Sequence, residues 1–204
     1  MKVLVACEFS GIVRDAFLAR GHDAWSCDLL PAEKKGPHIQ DDVLKHLDDG
    51  WDLMIAHPPC TYLAKSGVQY LHKDYSRWKL MRDATVFFLY LWCANIKKIA
   101  IENPVPHKYS SLPKYTQIIQ PYQFGHNVQK MTCLWLKGLP KLISYSINAP
   151  LMNLHIDKGE KYFRKNGTSN GSKWYQLLTP GPERSKNRSR TFPGIAQAMA
   201  EQWG

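Results

Sequence analysis

The sequence predicts an α/β protein built on a doubly wound, mostly parallel sheet. Three observations carry that prediction. Short apolar runs alternate with amphipathic helical stretches, as in chains of βα units. Several runs stop abruptly at glycine, proline or a polar side chain. At 204 residues, 44% of them apolar, the chain is long enough for one well-buried domain.

Lys2-Val3-Leu4-Val5-Ala6-Cys7 reads as the first and central strand, broken at Glu8-Phe9-Ser10-Gly11. A helix follows from Ile12 to Arg20, with Val13, Ala16 and Phe17 on one face and Gly21 closing it. Ala24 to Cys27 forms a second strand that ends at Asp28, 17 positions after Gly11. Nucleotide-binding folds place a carboxylate at about this distance, on ribose hydroxyls. A loop with one glycine suits a ligand that has an adenosine half and no pyrophosphate. Ile39 to Val43 reads as a short edge strand, with a brief helix at Leu44 to Leu47. Asp41 and Asp42 are open to two readings there: Asp42 near the adenosine pocket, or either acid as a helix N-cap.

Trp51 to Cys60 is an apolar run stopped by Pro58 and Pro59, and it delivers Cys60 at the carboxyl end of a buried strand. Ligands of open α/β sheets bind at those ends. Prolines donate no N–H and fix φ, so the following side chain stands on a stiff loop. Taken alone, Pro-Pro-Cys is equally a buried structural cysteine after a turn. Asp74 is placed to cap a long helix reaching Asn95, with Trp78, Met81, Phe88 and Leu91 on its core face. Lys98 to Ile101 forms the next strand and ends in Glu102-Asn103-Pro104. If it neighbours the Pro-Pro-Cys strand, about 4.8 Å away, Glu102 and Cys60 face one pocket. Ser111 to Ile119 reads as a short helix, Gln120 to His126 as a rigid aromatic loop, and Met131 to Leu136 as a further strand. Residues 144–187 contain few apolar runs and form a loop-rich basic excursion; a last helix spans Ile195 to Trp203. The main α/β domain is expected over 1–143 and 188–204.

The net charge of +10 is concentrated toward the end, where residues 144–204 hold 9 Lys/Arg against 4 Asp/Glu. Such a segment suits a polyanion, with nucleic acid the usual candidate, or is ordinary solubilising charge. The five cysteines form no C-x-x-C pair, which argues against a zinc ribbon. Their odd number, without a signal peptide, favours a reducing, cytoplasmic setting. The most apolar helical stretch, Ala84 to Ala94, is too short to span a bilayer, so no membrane role is expected.

In this order the motifs resemble the DNA (cytosine-5)-methyltransferase family, on the Rossmann-like class I S-adenosylmethionine-dependent methyltransferase fold. Phe9-Ser10-Gly11 is similar to that family's first motif and Asp28 to the acid that holds the ribose. Asp42-Val43 is similar to the pair whose carboxylate takes the adenine amino group. Pro58-Pro59-Cys60 matches the nucleophile motif, and Glu102-Asn103-Pro104 resembles the Glu-Asn-Val motif. Pro193 to Ala196 is loosely similar to the last motif. The compact size and the segment from Gln120 to Pro140 look like short members carried by phages and prophages, which would work in a bacterial host's cytoplasm.

The resemblance implies S-adenosylmethionine as cofactor, held by Phe9, Ser10, Gly11, Asp28, Asp42 and Pro58, and DNA as substrate. It implies Cys60 as the nucleophile that adds to cytosine C6, making C5 reactive toward a methylsulfonium. Glu102 would serve N3 as a protonated carboxyl. The base must leave the stack to be reached. Asn103, Lys130, Thr132, Lys173, Arg188 and Arg190 are the expected substrate-binding residues, and Trp174 and Tyr175 are placed to stack on a displaced base. Amino-methyltransferases of this fold carry an aromatic residue where this chain has Cys60.

The chain departs from the family in three places. His57 stands where glycine is usual and is open to two readings, contact with the base or Cys60, or simple packing. Gln129-Lys130-Met131-Thr132-Cys133 lacks both arginines of the corresponding motif, with Lys130 and Thr132 as substitutes. The excursion supplies 44 residues where a target-recognition domain exceeds a hundred, so sequence specificity is slight or comes from a partner protein. The remaining alternatives are another C5-pyrimidine alkyl transfer, a free-nucleotide substrate, or an inactive nucleic-acid-binding relative. Cys7, Cys27, Cys93 and Cys133 lie in apolar runs and are expected in the core.

Overall fold

The computed structural model describes residues 1–145, 156–163, 167, 169–173, 178 and 181–204. Its main sheet has seven strands: β1 (Lys2–Ala6), β2 (Asp23–Asp28), β3 (His38–Gln40), β4 (Leu53–Ala56), β5 (Lys98–Pro104), β6 (Gln117–Ile119) and β7 (Thr132–Lys137). Their order is β3-β2-β1-β4-β5-β7-β6, with the first five parallel and β7 antiparallel to both β5 and β6. The strand order reverses beside β1, which is where open α/β sheets hold ligands.

The alternation of side chains along each strand divides the core in two. Val3, Val5, Leu53 and Ile55 face α1 (Ile12–Leu18) and the last helix, whose Ile195, Met199 and Trp203 are buried with them. Leu4, Ala6, Met54 and Ala56 face α2 (Ser76–Cys93), which contributes Phe88 and Leu91 against Trp135. A small hairpin of β8 (Lys161–Phe163) and β9 (Ser169–Ser172) leads to α3 (Pro182–Ser189), and α4 (Pro193–Trp203) closes the chain. No helix among the described residues is long and apolar enough to cross a membrane.

Several expectations are corrected. The segment from Ser111 to Ile119 is not a helix. Pro113 interrupts it, and Thr116 and Gln117 instead pair along β7 and with Leu142, through Thr116 N–H to the Leu134 carbonyl and Gln117 Nε2 to the Leu142 carbonyl. The fifth strand does not stop at Ile101 but runs to Pro104, because antiparallel β7 keeps pairing with it. Val43 leaves the third strand for a 3-10 turn over Val43–Lys45, which Asp42 caps by accepting from Leu44 N–H at 3.0 Å. Cys93 is exposed at the end of α2, and Cys7 is half-buried with φ 58°; only Cys27 and Cys133 of that set are buried.

Two buried charges shape the first loop. Glu8, 5% exposed, accepts from Val13 N–H at 2.7 Å and Arg14 N–H at 3.2 Å, satisfying free donors at the start of α1. Arg14 is fully buried and ties α1 to the loop after β2, donating to Asp15, Ser26 Oγ and the carbonyls of Lys34 and Lys35. Its guanidinium fills the space that side chains at Gly11 and Gly36 would need. Arg14→Met keeps the bulk but strands these acceptors. It should therefore lower unfolding free energy in urea titration by about 3 kcal/mol, and a loss below about 1 kcal/mol would contradict this role.

Candidate active site

The site is a consequence of unequal strand lengths. Parallel pairing of β4 with β5 ends at Ala56 opposite Ile101. β4 then turns away, while β5 carries Glu102 and Asn103 onward against Leu134 and Cys133 of β7. His57 still holds the sheet through its N–H on the Ala6 carbonyl, at 2.9 Å. Pro58 and Pro59 cannot continue a ladder, so the chain lifts off and Cys60 lies beyond the strand end. Asn103, 1% exposed, donates from Nδ2 to the Pro58 carbonyl at 2.8 Å and fixes that departure. The Cys60 carbonyl accepts from the N–H groups of Leu63 and Ala64, which winds the next turn back under the site.

His57 does more than pack. Its Nδ1 lies 2.8 Å from Glu102 Oε2, with the two side chains only 8% and 11% exposed. An ionised carboxylate only accepts, so Nδ1 carries the proton, and Nε2 is buried without a partner among the described residues. Burial pushes the Glu102 carboxyl up, but the His57 hydrogen bond and the Lys130 ammonium outweigh it and hold the group below the usual carboxylate range. Glu102 is thus held toward its ionised form in this state. Burial, reinforced by Glu102, raises the Cys60 thiol, while Lys130 and Arg188 pull it the other way. Lys130 donates to the Arg188 carbonyl at 3.0 Å and sits over the Phe192 ring.

The cofactor candidates gather at the ends of β1, β2 and β3. Gly11 has φ 71° and begins α1, and Ser10 Oγ donates to Glu8 Oε1. Asp28 accepts from Leu30 N–H through Oδ1 at 2.9 Å, and burial raises its carboxyl. Beside it Leu29 and Leu30 stand 72% and 43% exposed, an apolar surface next to an acid. Ser10 and Arg190 line both a cavity of about 340 Å³ toward Ile12 and Glu33 and a pocket of about 30 Å³ toward Phe9 and His57. A strand-end acid, exposed leucines beside it and the adjoining cavity fit a nucleoside bearing a charged tail.

Cys60, Pro58, Glu102, Asn103, Lys130 and Arg188 are thus brought together, and Phe9, Ser10, Gly11, Asp28 and Asp42 form the adjoining group. Three other candidates are engaged by groups of the protein itself. Arg190 forks onto Glu33, with Nε 3.0 Å from Oε2 and Nη2 2.6 Å from Oε1, over the first loop. Lys173 pairs with Glu160 at 2.6 Å on the hairpin. Thr132 is 3% exposed and its hydroxyl donates to the Lys130 carbonyl. Trp174 and Tyr175 lie outside the described residues. Sequence reasoning missed Glu8, Arg14 and Glu33. A hint was available for Glu8, an acid just before a helix start.

No protein-family model matches the chain, and no curated protein does. Among solved structures it is similar to one of a candidate DNA modification methyltransferase encoded within a prophage (E. coli), with a TM-score of 0.42 and 18% identity over 70% of this chain. The chain spans about half of that protein, 51% of its length.

The His57–Glu102 pair has a pH signature. Because the folded carboxyl lies below its unfolded value of about 4.3, the pair stabilises the fold above that pH and the contribution is lost as pH falls through the folded value. In His57→Phe, burial dominates and the Glu102 midpoint should move above the usual range, read by carboxyl ¹³C NMR. An unmoved midpoint would show that His57 does not hold the charge.

Proposed function

We propose that the chain transfers a methyl group from S-adenosylmethionine to C5 of cytosine in DNA, through a covalent adduct on Cys60. The observation that carries this reading is the convergence of Cys60, Glu102 and Lys130 where β4 and β5 part, beside an acid-terminated β2. A cysteine, a carboxylate and an ammonium in one enclosed site suit addition to an electron-poor ring.

The proton balance follows from the resting state. Cys60 is a thiol and Glu102 a carboxylate, and the carboxylate's charge raises the cost of ionising the thiol. As Sγ bonds to C6, the thiol proton passes to Glu102 and on to N3, so no charge is left on the ring. His57 steadies the carboxylate during both transfers, and Lys130 and Arg188 favour the developing thiolate. S-adenosylmethionine supplies the electrophilic methyl carbon; Asp28, Asp42, Ser10, Gly11 and Phe9 would hold its adenosine half, with Pro58 at the methionine end. After methyl transfer the C5 hydrogen leaves as a proton, the C6–Sγ bond breaks, and the N3 proton returns through Glu102. Pro58 and Asn103 keep Sγ at the strand end throughout.

Expression in a methylation-free host should leave 5-methylcytosine in the host DNA, detected by nucleoside mass spectrometry. Cys60→Ala should reduce it to background, and Glu102→Gln should slow methylation by at least about 10²-fold. A folded wild-type protein that produces no 5-methylcytosine would contradict the proposal.

A further inference from the structure

The surface next to Cys60 carries rings and cations in alternation. The loop from Thr61 runs under the site and is tied to the segment after β5: Lys65 N–H donates to the Val105 carbonyl and His107 N–H to the Leu63 carbonyl. Between them stand Tyr62, Tyr70, His72, Tyr75, Trp78 and Tyr109. Trp78 and Tyr109 pack with centroids 5.4 Å apart, and His72 lies 5.9 Å from Trp78. Arg77 sits 4.9 Å from the Tyr62 ring and 5.4 Å from the Tyr70 ring, and Lys108 lies 5.4 Å over Tyr109. The rings are not hidden: Tyr75 is 85% exposed, Tyr70 47% and Tyr109 40%. Lys65, Lys73 and Lys108 are exposed among them. Asp74 is the one acid in residues 61–78 and 105–116, and its carboxylate is engaged by Ser76 N–H and Oγ.

Exposed aromatic rings with cations beside them suit a polyanion that offers flat apolar faces. Duplex DNA offers phosphates but keeps its base faces stacked, so lysines alone would serve it. A single strand offers both, and stacking of its bases on aromatic side chains tolerates any sequence. We propose that this shelf binds single-stranded nucleic acid, its bases stacking on Tyr70, Tyr75 and Tyr109 and its phosphates meeting Lys65, Lys73 and Lys108. The strand then passes the mouth of the Cys60 site with its target base already unstacked. The inference rests on the reading of that site as one for a nucleic-acid base. It gives a chain with a short excursion a way to grip substrate without reading sequence.

The test is fluorescence anisotropy of the full chain, without cofactor, with a labelled 12-nucleotide single strand and with its duplex. The single strand should bind more tightly. Tyr75→Ala and Tyr70→Ala should each weaken it about tenfold and leave the salt slope unchanged, while Tyr75→Phe keeps wild-type affinity. Lys65→Ala with Lys73→Ala should flatten the slope by about 1.4, two phosphates' worth. Tighter duplex binding, binding of neither form, or Tyr75→Ala that binds single strands as wild type does would each overturn the shelf. The outcomes separate the two proposals. Loss in Tyr75→Ala without any 5-methylcytosine from the wild type sinks the methyl-transfer reading and leaves the shelf standing. Methylation by the wild type with unaltered binding in Tyr75→Ala sinks the shelf alone.

Discussion

The site depends on one geometric constraint: β4 must stop while β5 continues. Two consecutive prolines enforce the stop, since neither can donate to a ladder. Antiparallel β7 sustains the continuation by pairing with Glu102, Asn103 and Pro104 after their parallel partner has gone. The gap between the two strands is where Cys60, His57 and Glu102 meet. Asn103 closes the arrangement from within the sheet by holding the Pro58 carbonyl. The position of Cys60 is therefore set by backbone pairing, the most rigid part of the fold, rather than by the loop that follows it.

Electrostatics then divides the labour between two enclosed acids. Burial alone would leave Cys60 and Glu102 both protonated, and the two anions together would be costly. His57 and Lys130 tip the balance toward ionised Glu102, and the Cys60 thiol stays raised beside it. A proton donor and a proton acceptor are thus prepared side by side. The same logic appears in the first loop, where Glu8 is stabilised by helix N–H groups and Arg14 by carbonyls of the loop after β2. That loop is drawn back over the first, and Glu33 receives Arg190 there, so the segment joining α3 to α4 is tied over the carboxyl ends of β1 and β2.

The parallel strands and the polar side chains at their ends were legible because strands buried on both faces read as continuous apolar runs. Lys2 to Ala6, Leu53 to Ala56 and Lys98 to Ile101 are such runs, each followed by a break with a polar group in reach. Strand direction was not legible: Thr132 to Lys137 has the same apolar character whichever way it lies. Nor was β6, whose three residues owe their pairing to β7 and to the Gln117 bonds with Leu142. Cys93 looked buried because its run is apolar, yet α2 turns that position outward at its last residue. The pairing of His57 with Glu102 was not legible, because its partner lies 45 positions away and is reached through the sheet register. Arg14 and Glu33 escaped for the same reason: each is defined by a contact to a distant backbone or side chain, and composition around them says nothing of it.

The central claim is that Cys60 bonds covalently to a pyrimidine whose C5 substituent must leave as a cation. DNA carrying 5-fluorocytosine cannot complete that step, since fluorine does not leave in this way. With S-adenosylmethionine present, the protein should become covalently attached to such DNA, and peptide mass mapping should place the attachment on Cys60. Cys60→Ser should abolish the attachment while cofactor binding is kept. Attachment that persists in Cys60→Ser, or that maps to Cys7 or another cysteine, would contradict the account.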